Sequence, residues 1–187
     1  LLNIKLQEFA EDEIKQLGDA LTTMLINVFH TIKKEKLPTP TCPVYLFNMR
    51  DMSKVVQGIM QAHPDYFDTR DAVLRLFVHE ATCVFGDRLN SLDDREWFRE
   101  MVDDQIQSNT DTKWSGIFKN NGIMTNFGNF FTNADPAPYE ELADVAALKF
   151  KLEETLDEYN VDGGVPMDLV LFKDAVDHVC RIHRVLQ

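Results

Sequence analysis

Three observations predict a mainly α fold. Apolar residues recur at three- and four-residue steps through successive stretches of the first 110 residues, strand-like alternation is confined to residues 2–6, and continuous apolar runs such as 169–172 are short. In residues 2–6 the alternation of Leu2, Ile4 and Leu6 reads as a strand, too short to form a sheet without a partner. From about Glu11 to Lys36, the positions Ile14, Leu17, Leu21, Met24, Leu25, Val28 and Ile32 fall on one helical stripe. That helix stops before Pro38, because Pro38, Pro40 and Pro43 remove backbone donors and force an extended connector. Asn48 as N-cap, with Asp51 three residues on, opens a second helix carrying Met52, Val55, Val56, Ile59 and Met60 inward. Gly58 costs that helix about 1 kcal/mol relative to alanine unless a neighbour needs the space.

A third helix starts near Thr69, with Asp68 and Asp71 suited to the positive end of its dipole, and buries Leu74, Phe77, Val78, Ala81, Val84 and Phe85. Ser91 and Asp94 read as a capping box with Asp in place of Glu, introducing a helix that bears Trp97, Phe98, Met101, Val102 and Ile106. Residues 109–138 mix Asn, Thr, Gly, Asp and Pro with Trp114, Ile117, Phe118, Phe127, Phe130 and Phe131, which predicts an irregular connector with large side chains to bury. Residues 139–159 read as helix through Leu142, Val145, Leu148, Leu152 and Leu156, and a turn at 162–166 leads to a last helix carrying Phe172, Val176, Val179, Ile182 and Leu186.

The chain has 19 basic and 31 acidic residues, a net charge of −12. Residues 1–62 are balanced, so the whole excess lies beyond them, and a surface of that sign repels phosphate backbones and argues against a nucleic-acid partner. No apolar run approaches the roughly 18 residues that span a bilayer. Cys42, Cys83 and Cys180 are odd in number and widely spaced, which suits reduced thiols in an intracellular chain better than a disulfide framework. The start at Leu1 has neither Met nor a signal-type core, so both ends are expected to continue into a longer polypeptide.

Chemistry-bearing motifs are few. His79, Glu80 and Cys83 share part of the zincin helix pattern, but Cys83 stands where a second histidine belongs and no third ligand is near. His178 and Cys180 point about 200° apart on a helix, and a calcium loop beginning at Glu158 fails at its twelfth position, Leu169. No metal site and no catalytic residue is predicted. No G-x-x-x-x-G-K-[ST] loop occurs, so the segment does not bind a nucleotide by itself. Arg50 stands out, because a cation in the first turn of a helix opposes the dipole, whereas an anion held jointly by that helix end and an arginine is favoured. Either Arg50 pairs with a carboxylate such as Asp51, or it awaits a phosphate.

The string from Tyr45 to Ile59, YLFNMRDMSKVVQGI, resembles the small-domain segment of the AAA+ modules of dynein heavy chains. Arg75-Leu76-Phe77-Val78-His79-Glu80, Val84-Phe85-Gly86-Asp87-Arg88-Leu89 and the stretch from Leu169 to Leu186 resemble the same family in the same order, and the Phe-Asn-x-Arg-Asp wording is similar to the axonemal branch. The resemblance covers about residues 1–106 and 139–187. It implies a helical AAA+ lid bundle preceded by one orphan strand. Residues 1–8 would be the last strand of the third module's large domain, 9–108 its lid, 109–138 a connector, and 139–187 the start of the fourth module, ending before its phosphate loop.

By the same resemblance, Arg50 matches the lid arginine called sensor 2, which reaches the nucleotide phosphates of its own module. Leu169, Val170, Leu171 and Phe172 match the segment lying against adenine in the next, although ordinary core describes those four equally well. The family further implies ATP or ADP with Mg in the full motor, none held by this segment alone. It implies neighbouring AAA+ modules, microtubules and dynein intermediate and light chains as partners, and a cytoskeletal location in the axoneme of a cilium or flagellum. The expected role of this piece is to couple nucleotide state between modules. The rival expectation is a free-standing acidic helical module that binds a basic partner through residues 87–162.

Overall fold

The computed structural model describes residues 1–118, 124–132, 136–163 and 165–186, and the chain divides into two compact units, Leu1–Met124 and Thr125–Gln187. Among the described residues no helix is long and apolar enough to cross a membrane.

The first unit is a helical bundle. Its elements are α1 (Leu2–Leu6), α2 (Asp12–Lys15), α3 (Leu17–Glu35), α4 (Met49–Met60), α5 (Arg70–Val84), a 3-10 turn at Gly86–Arg88, α6 (Leu92–Thr110) and α7 (Trp114–Ile117). The stripe expected on the long N-terminal helix is present: Leu17, Leu21, Met24, Leu25, Val28 and Ile32 are all buried on α3, which packs against α1 and α6. The helix is interrupted at Gln16, so its first turn becomes the separate α2. α5 is the central element, buried over most of its circumference through Val73, Leu74, Leu76, Phe77, Val78 and Ala81, and it packs on α4. Thr69 caps it by accepting from the Ala72 N–H.

Residues 2–6 are not the expected strand. They form α1, with Leu2 and Leu6 buried and Ile4 73% exposed. Leu2 and Leu6 stand four apart, so one helical face carries both into the bundle, and helical bonding satisfies the backbone locally where no neighbouring strand does.

α4 opens on the capping box read from the sequence, and Val55 and Ile59 are buried as expected, whereas Met52, Val56 and Met60 are half-buried. Gly58 explains its own presence. A Cβ built there lies 1.9 Å from Oε2 and 2.1 Å from Cδ of Glu80, a fully buried side chain of α5, so the glycine is the recess in which that carboxylate lies.

The second capping box is half formed. The Ser91 hydroxyl accepts from the Asp94 N–H at 3.0 Å, but the Asp94 carboxylate does not reach back. It accepts instead from Lys36 Nζ at the end of α3 and from the Tyr45 hydroxyl at 2.7 Å. Tyr45 in turn accepts from the Asn90 N–H, and Lys36 lies 4.4 Å from the Trp97 ring centroid. One carboxylate therefore ties α3, the proline connector and α6 together. Lys36 first and Tyr45 second hold the Asp94 carboxyl down at about 2.

A carboxyl depressed in the folded state contributes stability that is present above its unfolded value and is lost as pH falls toward the folded one. Asp94→Asn is expected to cost about 1–2 kcal/mol at neutral pH. In denaturant titrations at a series of pH values, the difference from the parent should shrink between about pH 4 and pH 2. A pH-independent difference would contradict this role for the carboxylate.

The connector expected over 109–138 is divided between the units. α6 runs to Thr110, and Trp114, Ile117 and Phe118 are buried in the first unit, where the Trp114 and Phe118 rings meet at a tilt of 38° with centroids 4.7 Å apart. Residues 119–123 and 133–135, also inside that expected connector, lie outside the described residues.

In the second unit, Asn126–Gly128 is a strand, β1, paired antiparallel with β2 (Glu140–Leu142) so that Phe127 faces Glu141. The helix expected from 139 starts later: Tyr139 and β2 precede Asp144, whose carboxylate caps α8 (Val145–Val161) by accepting from the N–H groups of Ala146 and Ala147. α9 spans Lys173–Leu186. The core is small, consisting of Leu142, Leu148, Leu171, Val176 and Cys180 with Phe130 and Leu152 against them.

The last helix turns a different face inward than its apolar pattern predicts. Val176 and Cys180 are buried, Val179 is half-buried, and Phe172, Ile182 and Leu186 are exposed. The reason is local, because β1 and α8 reach one side of α9, where Asn126 also donates to Asp177 at 2.6 Å. Burial, with the Asp177 charge adding to it, pushes the Cys180 thiol up to about 11, so it remains protonated and inert.

Candidate functional site

The site is built on the first turn of α4. Asn48 has extended backbone angles, and its side-chain oxygen accepts from the Arg50 N–H at 2.9 Å while its own N–H donates to Asp51 Oδ2 at 2.9 Å. This reciprocal pair fixes the helix start and leaves its positive end facing outward.

Asp51 is 2% exposed and is the anchor of the turn. Both of its oxygens accept from Arg88 of the 3-10 turn, Oδ2 from Nη1 at 3.0 Å and Oδ1 from Nη2, with Lys54 Nζ 4.0 Å away. Arg88 Nη1 also donates to the Leu46 carbonyl at 2.9 Å, and its guanidinium lies 5.7 Å from the Phe47 ring centroid. Burial alone would push the Asp51 carboxyl up; bonds from Arg88 and from the Asn48 N–H outweigh it and hold the group below its ordinary value.

The choice left open for Arg50 is thereby narrowed. Asp51, the carboxylate beside it in sequence, is saturated by Arg88 and by the cap. The Arg50 side chain is exposed and makes no hydrogen bond or ion pair among the described residues. An unpaired guanidinium at a helix N-terminus is an arrangement that receives an anion, with phosphate the best geometric match to its fork of donors. On the same helix, Met49, Met52 and Val56 line an apolar groove of about 730 Å³ together with Leu2, Leu25 and Ile26. Arg50 follows Met49 at the start of the helix that forms one wall of this groove.

The other predicted site residues lie in the second unit and do not share one surface. Leu171 is 7% exposed and belongs to the core with Leu148 and Val176, while Leu169, Val170 and Phe172 point outward, Val170 at 78% exposure. The Phe172 N–H donates to the Val170 carbonyl at 3.1 Å, a tight turn at Leu171 that sends this one side chain into the core while its neighbours stay at the surface. His79 and Cys83 do meet, with Nε2 and Sγ 3.6 Å apart, and among the described residues no three His, Cys, Asp or Glu side chains converge. Arg88, which pairs with Asp51, is not singled out by the sequence, because it lies in the Phe-Gly-Asp-Arg-Leu string and its partner is 37 positions away.

Comparison with known proteins bears directly on these features. The family model described as the dynein heavy chain ATPase lid domain matches residues 2–95, which include Arg50, Asp51 and Arg88. The chain is similar to the dynein-1-beta heavy chain of the flagellar inner arm I1 complex of Chlamydomonas reinhardtii, at 39% identity over 189 aligned residues. It is 40% identical over 187 residues to dynein axonemal heavy chain 2 of Homo sapiens, and 35% identical over 175 residues to dynein axonemal heavy chain 1 of Mus musculus. The first two alignments cover 100% of this chain and the third 93%, while the chain spans 4% of the length of each relative. With the capped, Arg-bearing turn of α4 inside the matched lid, the chain belongs to the dynein heavy-chain family.

Proposed function

We propose that this chain forms the lid of one AAA+ module of an axonemal dynein heavy chain, the third, together with the beginning of the fourth, and that Arg50 contacts the nucleotide phosphates of the module the lid closes. The supporting observation is the unpaired guanidinium of Arg50 on a capped helix start whose adjacent carboxylate is already taken. In the whole motor the bound ATP and Mg supply the phosphoryl chemistry. The residues here bind and orient: Arg50 holds charge at the phosphates, and the bundle behind it turns that contact into a position of the lid. Microtubules and the intermediate and light chains meet other parts of the heavy chain, and the names of the relatives support a working place in the axoneme.

The exposed apolar side chains of the second unit support the same assignment. Ile182, Val185 and Leu186 are surface that further parts of an AAA+ large domain would cover, whereas a free-standing acidic interaction module would keep them buried. Leu169, Val170 and Phe172 then remain available to adenine, with Leu171 anchoring the segment.

The test is Arg50→Ala in the full heavy-chain motor. Loss of a charge-assisted contact to phosphate is expected to weaken nucleotide affinity at the third module by about tenfold or more and to slow motility. Unchanged nucleotide affinity and unchanged motility would overturn the role of Arg50. The chain by itself should show no ATP turnover, and turnover by the pure segment would contradict the placement of the phosphate loop outside it.

A further inference from the structure

We infer that Arg88 is the positioning residue for Arg50, an inference that rests on the nucleotide role proposed above. Arg88 does not belong to α4, yet it holds the turn that carries Arg50 at several points. Its two terminal nitrogens donate to the two oxygens of Asp51, and Nη1 donates also to the Leu46 carbonyl, while the guanidinium lies 5.7 Å from the Phe47 ring centroid. Leu46, Phe47 and Asp51 bracket Asn48, Met49 and Arg50. The bracket is packed from behind as well, because Phe47 meets Phe85 at the end of α5 with centroids 6.1 Å apart, and Arg88 follows three residues after Phe85.

The arrangement has two consequences for Arg50. The first is geometric: the helix start cannot slide or fray without breaking a bidentate pair that is closed to solvent on the Asp51 side. The second is electrostatic. Asp51 is the carboxylate nearest in sequence to Arg50, and a fork of donors that engages both its oxygens holds it in the buried pair, away from the exposed Arg50 guanidinium. Arg88 thus keeps one arginine of the lid unpaired by being paired itself. It also ties the turn that carries Arg50 to the 3-10 turn that follows α5.

The experiment is a double-mutant cycle between Arg50 and Arg88 in the full motor, reading nucleotide affinity at the third module, with lid stability followed separately by thermal unfolding. Arg88→Ala is expected to weaken nucleotide binding by about as much as Arg50→Ala, roughly tenfold, and the double variant is expected to be no weaker than Arg50→Ala alone. Arg88→Lys retains a charge on Asp51 and folds, but lacks the fork, so it should lose about threefold or more in affinity with little change in melting temperature.

Full additivity of Arg88→Ala and Arg50→Ala would overturn the positioning role, since it would mean that Arg88 acts on the nucleotide independently or merely through lid unfolding. Wild-type affinity in Arg88→Lys would overturn it as well. If Arg50→Ala itself is without effect, it is the nucleotide role of Arg50 that fails. If Arg50→Ala weakens binding and neither Arg88 variant does, that role stands and the positioning role of Arg88 is the part that falls.

Discussion

Gly58→Ala destabilises the first unit by about 2–3 kcal/mol, against the gain of about 1 kcal/mol that helix propensity alone assigns to the exchange. The sign is set by Glu80. The added methyl would lie 1.9 Å from its Oε2, and Glu80 is fully buried on α5, so the carboxylate has no solvent to move into and must separate α4 from α5 or give up its bonding. A loss of that size lowers the melting temperature by several degrees for a unit of this size. The cause is separable by a cycle: in an Glu80→Ala background the recess is vacated, and Gly58→Ala should then cost less than about 0.5 kcal/mol or stabilise. Calorimetry or denaturant titration of the four variants checks it, and an equal cost in both backgrounds would place the strain elsewhere.

Asp51→Ala is expected to be the more damaging substitution, at about 3–5 kcal/mol. It removes the acceptor of the Asn48 N–H and so half of the capping box, and it leaves the Arg88 guanidinium, packed against Phe47, with the Leu46 carbonyl as its remaining bond here. Asp51→Asn retains one acceptor oxygen and should cost about half as much. Because the carboxyl is held below its ordinary value, its contribution is present above about pH 4 and is lost as pH falls below that. The gap between parent and Asp51→Asn in denaturation midpoint should therefore narrow on acidification. A gap that is constant or widens would show that the Arg88 pair contributes no net stability.

The parts of this molecule that were legible in the sequence are those whose causes lie within a few residues. The Asn48 and Asp51 box, the start of α5 near Thr69 and the stripe on α3 all act across one turn or along one face, whereas the neighbour that needs the space at Gly58 is Glu80 of another helix. Residues 2–6 were ambiguous for a physical reason: in five residues, Leu2 and Leu6 satisfy both a two-residue alternation and a four-residue step, and the bundle selected the helix. Asp94 misled because its capping position was real while its carboxylate was claimed from 58 and 49 positions away by Lys36 and Tyr45. On α9 the apolar stripe was wider than the face that β1 and α8 cover, so its pattern could not say which part is buried.

The candidate site divides along the same line. Arg50 stands out in the sequence because a cation at a helix start opposes the dipole, a local conflict visible in the string itself. That its neighbour Asp51 is withdrawn from it could not be read, since the withdrawing residue, Arg88, comes from another element. The four residues from Leu169 to Phe172 are legible as an apolar run, but a run does not reveal which of its members turns inward: Leu171 is core and its neighbours are surface.

The most direct test of the nucleotide role is the structure of the full heavy-chain motor with an ATP analogue bound at the third module, resolved well enough to place side chains in the lid. The expected result is a terminal nitrogen of Arg50 within about 3 Å of a phosphate oxygen, with the Arg88 and Asp51 pair intact behind it. A nucleotide-filled module in which Arg50 is turned to solvent or bonded to a carboxylate would contradict it.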